Sequence, residues 1–127
     1  MSNLHLKANL GFDNEKYFVG LSLVEFEENN VTIIYSPALD LSGYGYNYTE
    51  AKNSFFEALH EFFRYTSNKN TLDKVLKDLG WNVKGSKKKP KFNPPKDSEL
   101  VNLNPMYNEI VNNKSYKVSR EDVEFAY

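Results

Sequence analysis

The stretch YSPALDLSGYGYNYTEAKNSFFEALHEFFRYT, residues 35–66, passes from a strand end through a glycine turn and a helix cap into an amphipathic helix. Ala51, Phe55, Ala58, Leu59 and Phe62 recur at helical spacing, and Phe56 and Phe63 widen the stripe. Such a helix needs an apolar sheet to lie on. Asn47, with Glu50 three residues further on, has the pattern of a capping box, in which each side chain serves a backbone N–H that the helix start leaves unpaired. Thr49 is the competing cap.

Upstream, Tyr17 to Glu28 and Val31 to Ser36 flank Asn29-Asn30, a pair that tolerates the positive φ of a tight hairpin turn. The hairpin register sets Phe26 opposite Ile33 and Val24 opposite Tyr35, with Glu25 and Glu27 on the other face. That apolar face is expected to receive the helix after Asn47. Leu4, Leu6, Ala8 and Leu10 alternate with polar residues and predict an earlier strand, closed by the turn Gly11-Phe12-Asp13-Asn14.

Downstream, Leu72, Val75, Leu76 and Leu79 share one face of a second helix over about 71–79, and Gly80-Trp81 reads as its left-handed stop, with Trp81 turned into the core. The segment 85–97 reads as a basic loop, since Pro90, Pro94 and Pro95 neither continue a helix nor suit a central strand. Asn104-Pro105 is a helix entry, with Met106, Tyr107, Ile110 and Val111 apolar, and Val123, Phe125 and Tyr127 alternate as a last strand. The expected organisation is a body over 1–84, the loop, and a C-terminal extension over 98–127 that packs on the same domain. The fold class is α+β: a small antiparallel sheet, one long amphipathic helix on it, and a second helix.

A chain of 127 residues with nine Phe, nine Tyr and one Trp can build one core. The absence of cysteine excludes disulfides, thiolate metal sites and a cysteine nucleophile. With no signal-like start and no apolar run long enough to span a bilayer, the chain reads as cytoplasmic. Six of its 16 basic residues lie between Lys84 and Lys96, among no acids, so the rest carries ten against 17 acidic residues. An acidic body of this kind suits a cationic protein partner. The lysine run itself, with Phe92 as its one aromatic, reads as a solvated loop.

The segment Gly45-Tyr46-Asn47-Tyr48-Thr49-Glu50-Ala51, with Pro37 and Leu39 before it, resembles the strand-to-helix junction of the HicB-like family, G-x-T-x-x-E-A, over about residues 1–66. Asn47 stands where the family usually has Thr. The resemblance implies an incomplete RNase H-like fold and an antitoxin role, in which the domain binds a small basic RNA-cleaving toxin. The family's separate DNA-binding segment is not recognisable here: 71–80 and 105–112 read as single short helices.

Few residues point to chemistry. Asp40, Glu50 and Glu57 are the candidates for a remnant two-metal nuclease site, the alternative function, although a turn, a cap and a solvated helix position account for them. His5 and His60 have no companion ligands at metal-binding spacing. No catalytic, cofactor or metal residue is assigned. Tyr44, Tyr46 and Tyr48 flank the glycine turn as a candidate surface for a partner or for self-association, with Asn47 and Glu50 as the structural cap. An incompletely paired sheet edge favours a homodimer or higher homo-oligomer, and a stand-alone oligomeric accessory module is the third reading.

Overall fold

A computed structural model describes residues 8–13, 16–85 and 90–126. The strands are β1 (Ala8–Asp13), β2 (Lys16–Glu28), β3 (Val31–Ser36) and β4 (Leu41–Gly45), followed by helices α1 (Tyr48–Asn68) and α2 (Leu72–Asp78). Then come β5 (Asn82–Gly85), β6 (Pro90–Asn93), α3 (Asp97–Leu103), α4 (Pro105–Asn113) and β7 (Tyr116–Ala126). All seven strands join one antiparallel sheet in the order β4-β3-β2-β1-β6-β5, with β7 on β2, and the fold is α+β as the patterning predicts. Leu4, Leu6 and His5 of the expected first strand, Lys87, Lys88 and Lys89 of the lysine run, and Tyr127 lie outside the described residues.

β2 organises the molecule. β7 pairs with it from Lys16 to Phe26, β1 from Lys16 to Leu21, and β3 from Val24 to Glu28. Because a strand has only two edges, β1 and β3 share the edge opposite β7, one after the other. The turn between β2 and β3 is the expected one: Asn29 and Asn30 have φ of 53° and 65°, as a two-residue hairpin loop requires. Phe26 faces Ile33 and Val24 faces Tyr35.

The cover of that face differs from the expectation. Val24, Phe26, Ile33 and Tyr35 are buried against Leu100, Tyr107 and Ile110, so α3 and α4 lie on them. α1 lies on the opposite face, where Ala51, Phe55, Leu59 and Phe63 meet Val19, Leu21, Leu23 and Ile34. The reason is visible in β2 itself: its buried hydrophobic side chains run 19, 21, 23 and then 24, 26, so their burial changes face at the adjacent pair Leu23-Val24. A strand with consecutive buried apolar residues is covered on both sides.

The lysine-rich segment also departs from the expected loop. β5 and β6 form a hairpin, and Phe92 is buried where Leu10 pairs with it, which ties the hairpin to β1. Pro90 is tolerated because it is the first residue of its strand. The stop after α2 is the expected one. Gly80 has φ of 96°, Trp81 N–H donates to the Leu76 carbonyl at 2.9 Å, and Gly80 N–H to that of Lys77 at 3.0 Å. The Trp81 ring is buried, and its Nε1 donates to the Ala38 carbonyl at 2.8 Å, fixing the α2 end to the loop after β3.

Candidate functional site

At the junction of β4 with α1 the two backbones are closely packed. Gly43 and Gly45 face α1, and α1 approaches so closely that a Cβ on Gly43 would lie 2.2 Å from the Phe55 amide nitrogen and one on Gly45 2.5 Å from that of Ala51. The cap holds the start of α1: Asn47 Oδ1 accepts from Glu50 N–H at 2.9 Å. The Glu50 carboxylate accepts from Tyr46 N–H at 2.9 Å, one residue before the amide that the capping-box pattern names.

Alternation along β4 then turns Tyr44 away from α1, opposite Ile33. Tyr44, Tyr46 and Tyr48 are 55%, 84% and 41% exposed, so all three rings stand at the surface of this chain. The Lys52 ammonium lies 5.7 Å from the Tyr48 ring centre and bonds Glu121 of β7 at 2.8 Å, which holds the lysine charged by raising its pKa. β4 is the last strand of the sheet on this side. Its edge is blunted, because Tyr44 N–H donates to Ser54 Oγ of α1 at 3.1 Å.

The three carboxylates of the nuclease alternative have separate tasks. Asp40, with φ of 54°, accepts from the Tyr35 hydroxyl at 2.6 Å, Glu50 serves the cap, and Glu57 is exposed on α1. Among the described residues no three His, Asp or Glu side chains come together as a metal site. His60 stands against the Phe125 ring, 5.6 Å between centres. A cleft of about 450 Å³ opens beside Phe12, Tyr17, Asn70, Leu72, Asp73 and Phe92. Burial raises the pKa of the Tyr17 hydroxyl in this cleft, a Ser67 hydrogen bond opposes the rise, and the Asp73 charge adds to it.

The polar chain behind this junction has no signature in the sequence. Asn104 caps α4 by accepting from Tyr107 N–H at 3.1 Å, its amide donates to the Tyr35 hydroxyl, and Tyr35 donates to Asp40. Tyr107, itself buried, donates to Asp97 at 2.5 Å. Only the fold brings these positions together, although Asn104 before Pro105 was legible as a cap.

Burial first, and then the adjacent carboxylate, push the Tyr35 and Tyr107 hydroxyls above their ordinary value of 10.0. The folded state therefore holds these protons more tightly than the unfolded chain does. Their contribution to stability is fully present below the unfolded value and drains away as pH rises above it. Thermal midpoints are expected to stay level up to about pH 9 and to fall steeply above about pH 10. A Tyr35→Phe/Tyr107→Phe variant should show a shallower fall, and an equal slope in both proteins would exclude these hydroxyls as the cause.

No protein-family model, curated protein or solved structure matches the chain. Among the described residues no helix is long and apolar enough to cross a membrane.

Proposed function

We propose that this chain is a non-enzymatic protein-binding module of HicB-like antitoxin type, acting in the cytoplasm on a small basic protein partner. The observation that carries the reading is the exposure of Tyr44, Tyr46 and Tyr48 beside a closely packed strand-to-helix junction. Tyrosine rings lose little conformational freedom on binding and present large amphipathic surfaces, the properties of interface anchors. Their π faces also accept Lys and Arg side chains, which suits a basic partner for an acidic body. The family resemblance supports the strand, cap and helix order at 45–51. α3 and α4 on the second face, and β7 along β2, go beyond what that resemblance implies.

The test compares the tagged protein with a Tyr44→Ala/Tyr46→Ala/Tyr48→Ala variant in affinity purification from its own cells. The wild type is expected to retain a stoichiometric small basic protein that the variant loses, with unchanged thermal midpoints. Recovery of the chain alone, as dimers or larger species that the variant does not form, would replace the reading with self-association through the same tyrosines. Retention of the partner by the variant would exclude them as the contact.

A further inference from the structure

α3 and α4 cover only the β2–β3 end of their face of the sheet. At the other end no helix among the described residues lies on this face, and its residues follow from the pairing. Val19, Leu10, Phe92 and Val83 belong to the α1-side core, so their neighbours Phe18, Gly11, Lys91 and Lys84 project from the opposite side. Phe18 is the cross-strand partner of Gly11, and Lys84 that of Lys91. The Leu10–Phe92 register puts Lys91 beside Gly11. An exposed aromatic, a glycine and two lysines thus form one row across β2, β1, β6 and β5, and on the other side of Phe18 the row ends at Glu124 of β7, whose carboxylate is ion-paired with Lys16 at 3.9 Å.

Three features of this row have no structural explanation among the described residues. A Cβ on Gly11 would meet nothing within 4 Å, so neither close packing nor the Phe18 ring requires a glycine there. Gly20 makes the contrast: the Arg120 guanidinium, held by Asn9 and Asp122, fills the space above it. Phe18 is 37% exposed on a strand whose other aromatics are buried or half-buried. Lys84 and Lys91 are exposed and directly opposed, a like-charge pairing that weakens a hairpin, and neither has an ion-pair partner among the described residues. A bare glycine within a sheet marks a place where a ligand can approach the backbone.

We infer that this row binds single-stranded nucleic acid, with a base stacked on Phe18 over the open floor at Gly11 and the adjoining phosphates held by Lys91 and Lys84. Neighbouring strands lie about 4.8 Å apart, so Phe18 and Lys91, two strands apart, are separated by roughly 10 Å at their backbones, within reach of a base and its phosphate. An exposed ring stacks on any base, and lysines bind phosphate as point charges, so the site is expected to be tolerant of sequence. A duplex, whose bases are already stacked on one another, cannot offer a free face to Phe18. The surface is separate from Tyr44, Tyr46 and Tyr48, and the inference does not rest on the protein-binding reading.

The experiment is fluorescence anisotropy of labelled single-stranded RNA and DNA of mixed sequence, the corresponding duplexes, and labelled heparin, titrated with the full chain at low salt. Either single strand or both are expected to bind at least tenfold more tightly than duplex or heparin. The slope of log affinity against log salt should be about −1.4 for two phosphate contacts and near zero in Lys84→Gln/Lys91→Gln. Phe18→Ala is expected to weaken binding about tenfold. Gly11→Val, which fills empty space and suits a strand, should do the same without lowering the thermal midpoint. Absence of single-strand binding at low salt would overturn the inference. So would equal binding of duplex or heparin, or unchanged affinity in both Phe18→Ala and Gly11→Val, because the attraction would then be charge alone.

Discussion

Gly43→Ala is expected to be among the most disruptive single-methyl additions in this chain. Its new Cβ would sit 2.2 Å from the Phe55 amide nitrogen and 2.5 Å from both the Ala51 carbonyl oxygen and Phe55 Cα. All three belong to the α1 backbone, so no side-chain rotation relieves the overlap. α1 would have to lift from β4, and Ala51, Phe55, Leu59 and Phe63, each 0% exposed, would lose contact with the sheet. Overpacking of this kind costs about 3 kcal/mol, which for a domain of this size lowers the thermal midpoint by roughly 10–15 °C. Gly11→Ala is the control. It meets no neighbour within 4 Å, and by restricting the unfolded chain it is expected to stabilise by about 0.5 kcal/mol. Equal midpoints for the two variants would show that α1 does not press on β4 as described.

That contrast illustrates what the sequence can convey. Elements specified by neighbouring residues were legible: the Asn29-Asn30 hairpin, the Asn47 cap, and the Gly80-Trp81 stop all form where local chemistry predicts them. The cover of each face differs from the expectation, although the sequence carries a signal for it. Leu23-Val24 and Ile33-Ile34-Tyr35 are consecutive apolar residues, which a sheet buried on one side cannot satisfy. The β5–β6 hairpin was harder to see. Its prolines and lysines look like loop residues, and the reason for a strand is the burial of Phe92 beside Leu10, a contact made by a distant part of the chain. The two candidate surfaces divide in the same way. Tyr44, Tyr46 and Tyr48 are close in sequence and stand out, whereas Gly11, Phe18, Lys84 and Lys91 become neighbours only through three strand pairings.

Removing residues 97–127 is expected to unfold the remainder, even though the sequence alone presents that segment as an extension on a body over 1–84. Two losses act together. β7 pairs with β2 from Lys16 to Phe26, and its removal opens that whole edge of the central strand. Removing α3 and α4 uncovers Val24, Phe26, Ile33 and Tyr35, none more than 5% exposed in the full chain. At about 2 kcal/mol for each large apolar side chain, the second loss alone is about 8 kcal/mol, comparable with the whole stability of a typical domain. The Tyr35 hydroxyl also loses the Asn104 amide that bonds it. The fragment 1–96 should therefore show poor amide dispersion in NMR spectra, no cooperative thermal transition, and aggregation through the bared β2 edge. In the full chain, Tyr107→Ala should cost about 4 kcal/mol by emptying the centre of the α3–α4 contact while leaving β7 in place. A fragment that remains monomeric and melts cooperatively would assign the core to the α1 face alone. A folded fragment together with a tolerant Tyr107→Ala would make the second face dispensable to the fold.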